Sequence, residues 1–257
     1  MRAKSIYKTS AIVMRAIDYG ESDRIVTFFT DEFGKLKGIA KGARRSKKRF
    51  VNAFELFSCS DIVFSRRGRD GLALIEQCDT REFFAGIRGD LESTLFASYF
   101  IDLVDRFSAE DKRNRELFRF LRDFLSLVDE GDHPEGIIRV FEIRLLGIVG
   151  YGPVLDRCIR CGLAVDDMEN PCFSVHDGGI LCGKCARSAV NPITASSGTI
   201  KTLLMAREMP IQNIRRLAWS GKAVEEGGLI LPRFIEHLLG KELNSLRVLT
   251  DIRKMSA

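Results

Sequence analysis

Lys35-Leu-Lys-Gly-Ile-Ala-Lys-Gly-Ala-Arg-Arg-Ser-Lys-Lys-Arg49 is the stretch from which the architecture is read. In an extended chain successive side chains alternate between faces, so Lys35, Lys37 and Lys41 share one face of a strand. With Arg44, Arg45, Lys47, Lys48 and Arg49 they form a run that contains no acid. Like charges held this close repel one another, and such a cluster awaits a polyanion; a solvated basic loop is the competing reading. On either side lie short segments rich in β-branched and aromatic residues, Tyr7–Met14, Arg24–Thr30, Leu56–Phe64 and Leu72–Gln77, punctuated by Gly20, Gly34 and Gly71. With Leu36–Lys41 they make five strands, which predicts a small barrel with a basic stripe on its wall. A five-stranded oligonucleotide-binding (OB) barrel and an SH3-like barrel both satisfy this pattern.

Charge is concentrated in the same region. Of a formal net charge of +5, residues 1–80 carry a surplus of six and the rest a deficit of one. Length (257 residues) and an apolar fraction of 45% suffice for two or three packed units and exclude wholesale disorder. The longest uncharged stretch, Ser188–Ile200, has 13 residues, short of the ~20 that a spanning helix needs. No secretory leader is read at the N-terminus, so the cytosol is the default location.

From Asp90 the period changes to that of amphipathic helices. Phe96, Tyr99, Phe100, Leu103, Val104 and Phe107 form one apolar stripe, and Leu117, Phe120, Leu121, Phe124, Leu125 and Val128 another. Such stripes are core material for a bundle rather than a ligand box. Asp90 is the expected N-cap, and a third helix is expected over Glu135–Val149. Helical character returns over Ser197–Arg207 and Leu231–Arg247, with Phe234, Leu238 and Leu239 as the buried face.

Between these helices, five of the seven cysteines lie in a stretch with few apolar positions. Cys158-x2-Cys161, 20 residues, then Cys182-x2-Cys185 is the spacing of a four-cysteine zinc site. Two thiolates two residues apart in a tight turn reach one ion, and a second such knuckle completes a tetrahedron. A zinc ion with four thiolates has no open position, so the expected role is structural, with one Zn2+ per chain. Cys172 and His176 lie between the pairs as substitute ligands that the simpler assignment omits, and Cys59 and Cys78 read as small buried hydrophobes.

Nothing points to catalysis. His133, His176 and His237 lie in separate segments, no phosphate loop or dinucleotide fingerprint occurs, and the acid pairs Asp166-Asp167 and Glu225-Glu226 read as solvated turns. Phe28, Phe29, Phe33 and Phe50 lie near the basic run, but alternation sends at least half of them inward, so none is assigned a stacking role.

Five motifs in order along the chain resemble the bacterial RecO family of recombination mediators. They are Gly20-Glu-Ser-Asp-Arg-Ile-Val26, Gly38-Ile-Ala-Lys-Gly-Ala-Arg-Arg-Ser-Lys47, Gly150-Tyr-Gly-Pro-Val-Leu-Asp-Arg-Cys-Ile-Arg-Cys-Gly162, Phe173-Ser-Val-His-Asp-Gly-Gly-Ile-Leu-Cys182 and Phe234-Ile-Glu-His-Leu-Leu-Gly-Lys-Glu-Leu243. The resemblance implies an α+β multidomain chain: an OB domain over 1–80, a helical domain over 81–150 and 192–257, and an inserted zinc module over 151–191. It implies binding of single- and double-stranded DNA, annealing of complementary strands and, with RecR, help for RecA in replacing the single-stranded-DNA-binding protein. It implies no enzymatic turnover, no membrane and no small-molecule substrate. The family's basic motif falls on Lys41, Arg44, Arg45 and Lys47, with Ser46 where many relatives have Pro. Some relatives lack the cysteine quartet, which this chain keeps. A zinc-stabilised interaction scaffold, or an RNA-associated OB protein, is the alternative; a nuclease is disfavoured because the sequence offers no acidic metal cluster.

Overall fold

The computed structural model describes residues 5–46, 48–51, 53–66, 71–131, 133 and 136–256, with backbone alone over 253–256. The fold is α+β, and the chain divides into two compact units, Met1–Gly131 and Asp132–Ala257.

In the first unit, β1 (Ser5–Tyr19), β2 (Asp23–Thr30), β3 (Gly34–Ala40), β4 (Cys59–Arg66) and β5 (Ala73–Glu82) close into a barrel in the order β1-β2-β3-β5-β4. β1 pairs antiparallel with both β2 and β4, and a short parallel pairing of Gly38 and Ile39 with Ala73 and Leu74 joins β3 to β5. That Greek-key closure is the OB connectivity and decides between the two barrels the strand count allowed. Val13, Val26, Phe28, Leu36, Ile62, Phe64 and Ile75 fill the interior. β1 is far longer than the expected Tyr7–Met14. It continues past a bulge between Val13 and Arg15 and so pairs along its whole length, first with β4 and then with β2.

The bulge reverses the phase of β1. Ala11 and Val13 point into the core, whereas beyond the extra residue Met14 it is Ala16 that packs inward. Arg15, Ile17 and Tyr19 are thereby exposed.

Three helices follow: α1 (Ala85–Gly89), α2 (Leu91–Phe107) and α3 (Arg115–Asp129). Asp90 caps α2 by accepting from the Ser93 N–H at 2.7 Å, and Asn114 caps α3 through Leu117. Phe96, Tyr99, Phe100 and Leu103 are fully buried, and Phe100 meets Phe124 edge to face at 5.7 Å, so the aromatic stripes are core. The α2–α3 connection lies along β3: Lys35 and Glu110 form a parallel bridge, and the Asp111 N–H donates to the Lys35 carbonyl at 3.1 Å.

The second unit comprises α4 (Ile137–Ile148), a small sheet of β6 (Cys172–Ser174), β7 (Gly179–Leu181) and β8 (Ile193–Thr194), the one-turn α5 (Gly183–Ala186), then α6 (Ser197–Glu208), α7 (Gly221–Leu239) and α8 (Asn244–Ser256). Glu135, the expected start of α4, lies outside the described residues. The expected helix over Leu231–Arg247 proves to be two. α7 starts ten residues earlier, at the Ser220 cap, carries Pro232 inside it, and stops at Gly240, whose φ of 67° takes the left-handed C-cap conformation. Glu226, read as part of a solvated pair, instead sits on α7 and accepts from the N–H and hydroxyl of Ser196, both at 2.8 Å, at the start of α6. Among the described residues no helix is long and apolar enough to cross a membrane.

Gly34 is the tightest point of the first unit. Its φ is 67°, and a β-carbon there would lie 1.9 Å from the Lys112 carbonyl oxygen, which is backbone and cannot swing away. Gly34→Ala should therefore cost about 3 kcal/mol, combining left-handed strain with overpacking. The measurement is urea unfolding followed by far-UV circular dichroism, with an unchanged midpoint as the result that would contradict the close approach.

Candidate nucleic-acid interface and metal centre

On the barrel's outer wall β3 points Lys35, Lys37 and Ile39 outward while Leu36, Gly38 and Ala40 point in. The shared face expected for Lys35, Lys37 and Lys41 is present, but its three lysines meet different surroundings. Lys35 is covered: its ammonium donates to the Asp105 carboxylate at 2.9 Å and carbonyl at 2.7 Å, and its side chain is only 14% exposed. Lys37 pairs with Glu110 at 2.5 Å yet stays half exposed. Lys41 is exposed and makes no ion pair among the described residues.

Beyond β3 the chain turns through Gly42 into a 3-10 turn, Ala43–Arg45, whose buried Ala43 seats it on the barrel core. The turn is tied to the β1–β2 connection. The Gly42 N–H donates to Asp23 Oδ1 at 2.8 Å, and the Arg44 N–H donates to the Ser22 carbonyl at 3.0 Å. Arg44 then lies 3.3 Å from Asp18, and Arg45 lies 3.5 Å from Glu21. Lys48 and Arg49 are exposed, Arg49 donating to the Lys41 carbonyl at 3.1 Å with its guanidinium 5.1 Å from the Phe50 ring centroid. Lys47, expected in the same set, lies outside the described residues. The backbone thus gathers Lys41, Arg44, Arg45, Lys48 and Arg49 at one end of the barrel. Exposed ion pairs such as Arg45–Glu21 contribute about 0.2–1 kcal/mol, so a polyanion can exchange for the acid at little cost.

Phe28, Phe29 and Phe50 are buried and Phe33 half-buried. Exposed instead are Arg15, Ile17 and Tyr19 on the second half of β1. Sequence reading ended the strand before them. A cleft of about 470 Å³ opens between the wall and α2, with Arg15, Thr27 and Lys37 on one side and Ser98, Asp102 and Asp105 on the other.

In the second unit the sulfur atoms of Cys158, Cys161, Cys182 and Cys185 all lie within 4.8 Å of one another. Cys161 Sγ and Cys182 Sγ are 3.7 Å apart. A tetrahedron with metal–sulfur bonds of ~2.3 Å has edges of about 3.8 Å, so the quartet fits a tetrahedral metal ion. Local backbone explains the cluster. In the first knuckle the Cys158 N–H donates to the Leu163 carbonyl at 2.7 Å and Gly162 takes a φ of 77°. Cys182 precedes α5, which carries Cys185 back over it.

Burial opposes ionisation of Cys158, but N–H groups of Cys182, Cys161 and Arg160 aimed at its sulfur outweigh it, and the thiol falls to about 6. Burial, with the nearby Glu82 and Asp61 carboxylates, pushes Cys59 up to about 12, and burial with Asp79 pushes Cys78 up to about 11, so those two are inert core thiols. Cys172 faces the Asn170 carbonyl at 3.9 Å and is outside the quartet.

The segment around the quartet has more core than its composition suggests. Leu155, Phe173, Ile180 and Leu181 are fully buried, and Phe173 packs edge to face on Phe234 of α7 at 5.5 Å. The fold also brings His176 and His237 together, with ring centroids 6.1 Å apart, a neighbourhood that 60 residues of separation concealed.

Comparison with known proteins gives the chain a family. The family described as "Recombination protein O N terminal" matches residues 1–84, and "Recombination protein O C terminal" matches 88–247. The chain belongs to the RecO family. It is 46% identical to "DNA repair protein RecO" of Syntrophus aciditrophicus (strain SB) over 257 residues, 99% of each chain. The like-named proteins of Desulfatibacillum aliphaticivorans and Geobacter metallireducens are 35% and 36% identical, covering 96% and 95% of this chain and 97% of each relative. This RecO-family chain therefore aligns with its relatives through both the barrel and the cysteine region.

The tether between Asp23 and Gly42 carries a pH signature. Accepting the Gly42 N–H holds the Asp23 carboxyl below its ordinary value of 3.8. A depressed folded-state value means that the tether is complete above the unfolded value and is lost as pH falls through the lower, folded one. The Gly42 amide proton resonance should titrate with a midpoint below the ordinary aspartate value, and the titration should vanish in Asp23→Asn. A midpoint at or above the ordinary value would mean the tether is not formed in solution.

Proposed function

We propose that this protein is a non-enzymatic, DNA-binding recombination mediator that acts in the cytoplasm at the nucleoid. It binds single- and double-stranded DNA, anneals complementary strands and, with RecR, promotes RecA loading onto single strands coated by the single-stranded-DNA-binding protein. The observation that carries this reading is the gathering of Lys41, Arg44, Arg45, Lys48 and Arg49 at one exposed end of an OB barrel in a chain of the RecO family. Relatives sharing 46% and 35% identity bear the name "DNA repair protein RecO", which supports the same reading.

Lys and Arg take phosphates without regard to sequence, as a protein acting on any gap requires. Annealing follows from the same charge. Two strands repel through their phosphates, and cations that neutralise both let complementary bases meet. Lys35 and Lys37, expected among the contacts, already hold Asp105 and Glu110, so in this reading Lys37 joins only by exchanging its acid for a phosphate, and Lys35 supports the wall.

Cys158, Cys161, Cys182 and Cys185 would hold one structural zinc ion. Bound there, zinc would supply cross-linking and charge neutralisation for four thiolates, and it would leave no coordination position for a reacting water. The His176–Asp177 contact, at 3.7 Å, is exposed and belongs to the turn between β6 and β7.

Two outcomes test the reading. Arg44→Glu with Arg45→Glu should weaken single-strand binding at least about tenfold. It should also flatten the dependence of log K on log salt, which for single strands is roughly −0.7 per phosphate contacted. Fluorescence anisotropy across a salt series measures both, and unchanged affinity favours the protein scaffold. Metal analysis of the purified chain should return about one zinc per molecule, lost in Cys158→Ser with loss of protease resistance over 151–191; reduced protein free of metal would overturn the assignment.

A further inference from the structure

Arg160 lies inside the first knuckle, between Cys158 and Cys161, and its guanidinium reaches out of it. Nη1 donates to the Cys185 carbonyl at 3.3 Å and to the Ser188 hydroxyl, just beyond the second knuckle, at 2.8 Å. Nη2 donates to Asp177 Oδ2 at 2.8 Å, in the turn between β6 and β7. The acceptors are themselves fixed: the Ser174 hydroxyl donates to the same Asp177 oxygen at 2.9 Å, and the Ser188 hydroxyl donates to the Cys185 carbonyl at 3.2 Å. These partners stand 17, 25 and 28 residues further along the chain, so one side chain joins three segments around the thiols. The Arg160 and Asp177 side chains are 35% and 24% exposed. Arg157, just before the knuckle, meets only its neighbour Asp156 among the described residues and is 62% exposed, an ordinary surface pair.

Each knuckle is a local turn that holds its own two thiols, but the separation of the pairs depends on segments 20 residues apart. The Ile159 N–H, donating to the Ile180 carbonyl at 2.9 Å, lays the first knuckle beside β7. Arg160 adds a hold on the turn that carries Cys185. A guanidinium suits this task, because its donors form a rigid fork that serves a carboxylate and a carbonyl–hydroxyl pair together, whereas a lysine ammonium is a point donor on a flexible stem. We propose that Arg160 is the positioning residue of the metal centre: anchored by Asp177 and Ser188, it sets the separation of the two cysteine pairs and, through it, the affinity for the ion. The proposal rests on the zinc reading above and adds to it a residue that controls the ion without being its ligand.

The experiment competes the zinc-loaded full-length chain against a chromophoric chelator under reducing conditions, and records the visible spectrum of the Co2+-loaded chain, whose bands report tetrahedral thiolate coordination. Arg160→Ala should bind zinc roughly 10- to 100-fold more weakly, the usual effect of losing a group that orients metal ligands. Its Co2+ bands should keep their tetrahedral form, since all four thiols remain. Asp177→Asn with Ser188→Ala should weaken zinc binding similarly, and should add little once Arg160 is already replaced. Arg160→Lys should fall between, and these two variants carry the test if Arg160→Ala does not fold. Lys201→Ala, which removes the Lys201–Asp166 pair at 2.7 Å in the same unit, should leave zinc affinity unchanged. Unaltered zinc affinity in Arg160→Ala overturns the proposal, as does an equal loss in Lys201→Ala, which would make the effect one of general stability. An unaltered chain that takes up neither ion brings down the zinc reading and the proposal together; one that takes up both, with Arg160→Ala unaffected, loses the brace alone.

Discussion

A single extra residue in β1 sets the character of the barrel's outer wall. Because side chains on a strand alternate strictly, the inward phase of Ala11 and Val13 would carry Arg15, Ile17 and Tyr19 into the core. The bulge at Met14 shifts the phase by one, so that Val13 still meets Phe28 inside while Arg15 meets Thr27 outside. A cation, an isoleucine and a tyrosine are thus delivered to the face that β3 supplies with Lys35, Lys37 and Ile39. Burying Arg15 unpaired would cost far more than the one ladder irregularity that the bulge introduces.

The rest of the first unit decides how much of that face is open. Phe29 packs against Phe118 of α3 at 6.4 Å, and Lys35 is locked to Asp105 of α2, which closes one end. Lys37 stands at the border, held by Glu110 in a half-exposed pair that contributes little net energy. At the other end Tyr19 and the arginines of the tethered 3-10 turn are exposed. The wall therefore passes from a sealed end, through a cleft, to an open one. Asp105 at the end of α2 and Glu110 on the α2–α3 connection hold those two lysines.

The cysteine region solves a different problem. Four fully buried apolar side chains, with Phe173 packed on Phe234, make a small core, and cross-linking is the usual remedy for such small modules. Backbone N–H groups directed at Cys158 favour its thiolate without a metal, so part of the site is prepared by the turns themselves. The two knuckles are brought together along β7: Val154 bridges to Gly179 and the Ile159 N–H donates to the Ile180 carbonyl at 2.9 Å, which lays the chain at Cys158 beside the chain leaving at Cys182.

Patterns local in the chain were legible in the sequence. The alternation in Lys35–Lys41, the helical stripes around Phe100 and Phe124, the Asp90 cap and the paired cysteine spacing each depend on residues a few positions apart, and the backbone's two periods translate them directly into faces and turns. What depended on distant partners was not. Strand count left two barrels open until the β3–β5 pairing chose one; Leu231 looked like a helix start until Ser220 was seen to cap a helix that runs through Pro232; and Glu226 looked solvated until α6 came to rest on it. The basic residues were visible as a run, but which of them meets solvent was set by Asp105 and Glu110, some 70 residues away along the chain. The sequence determined that this protein has a cationic barrel wall and a four-thiol knuckle pair, because both are written in short-range spacing. Only the tertiary structure decided which part of that wall is open, because a bulge's phase and a helix's resting place are fixed by packing across the whole unit.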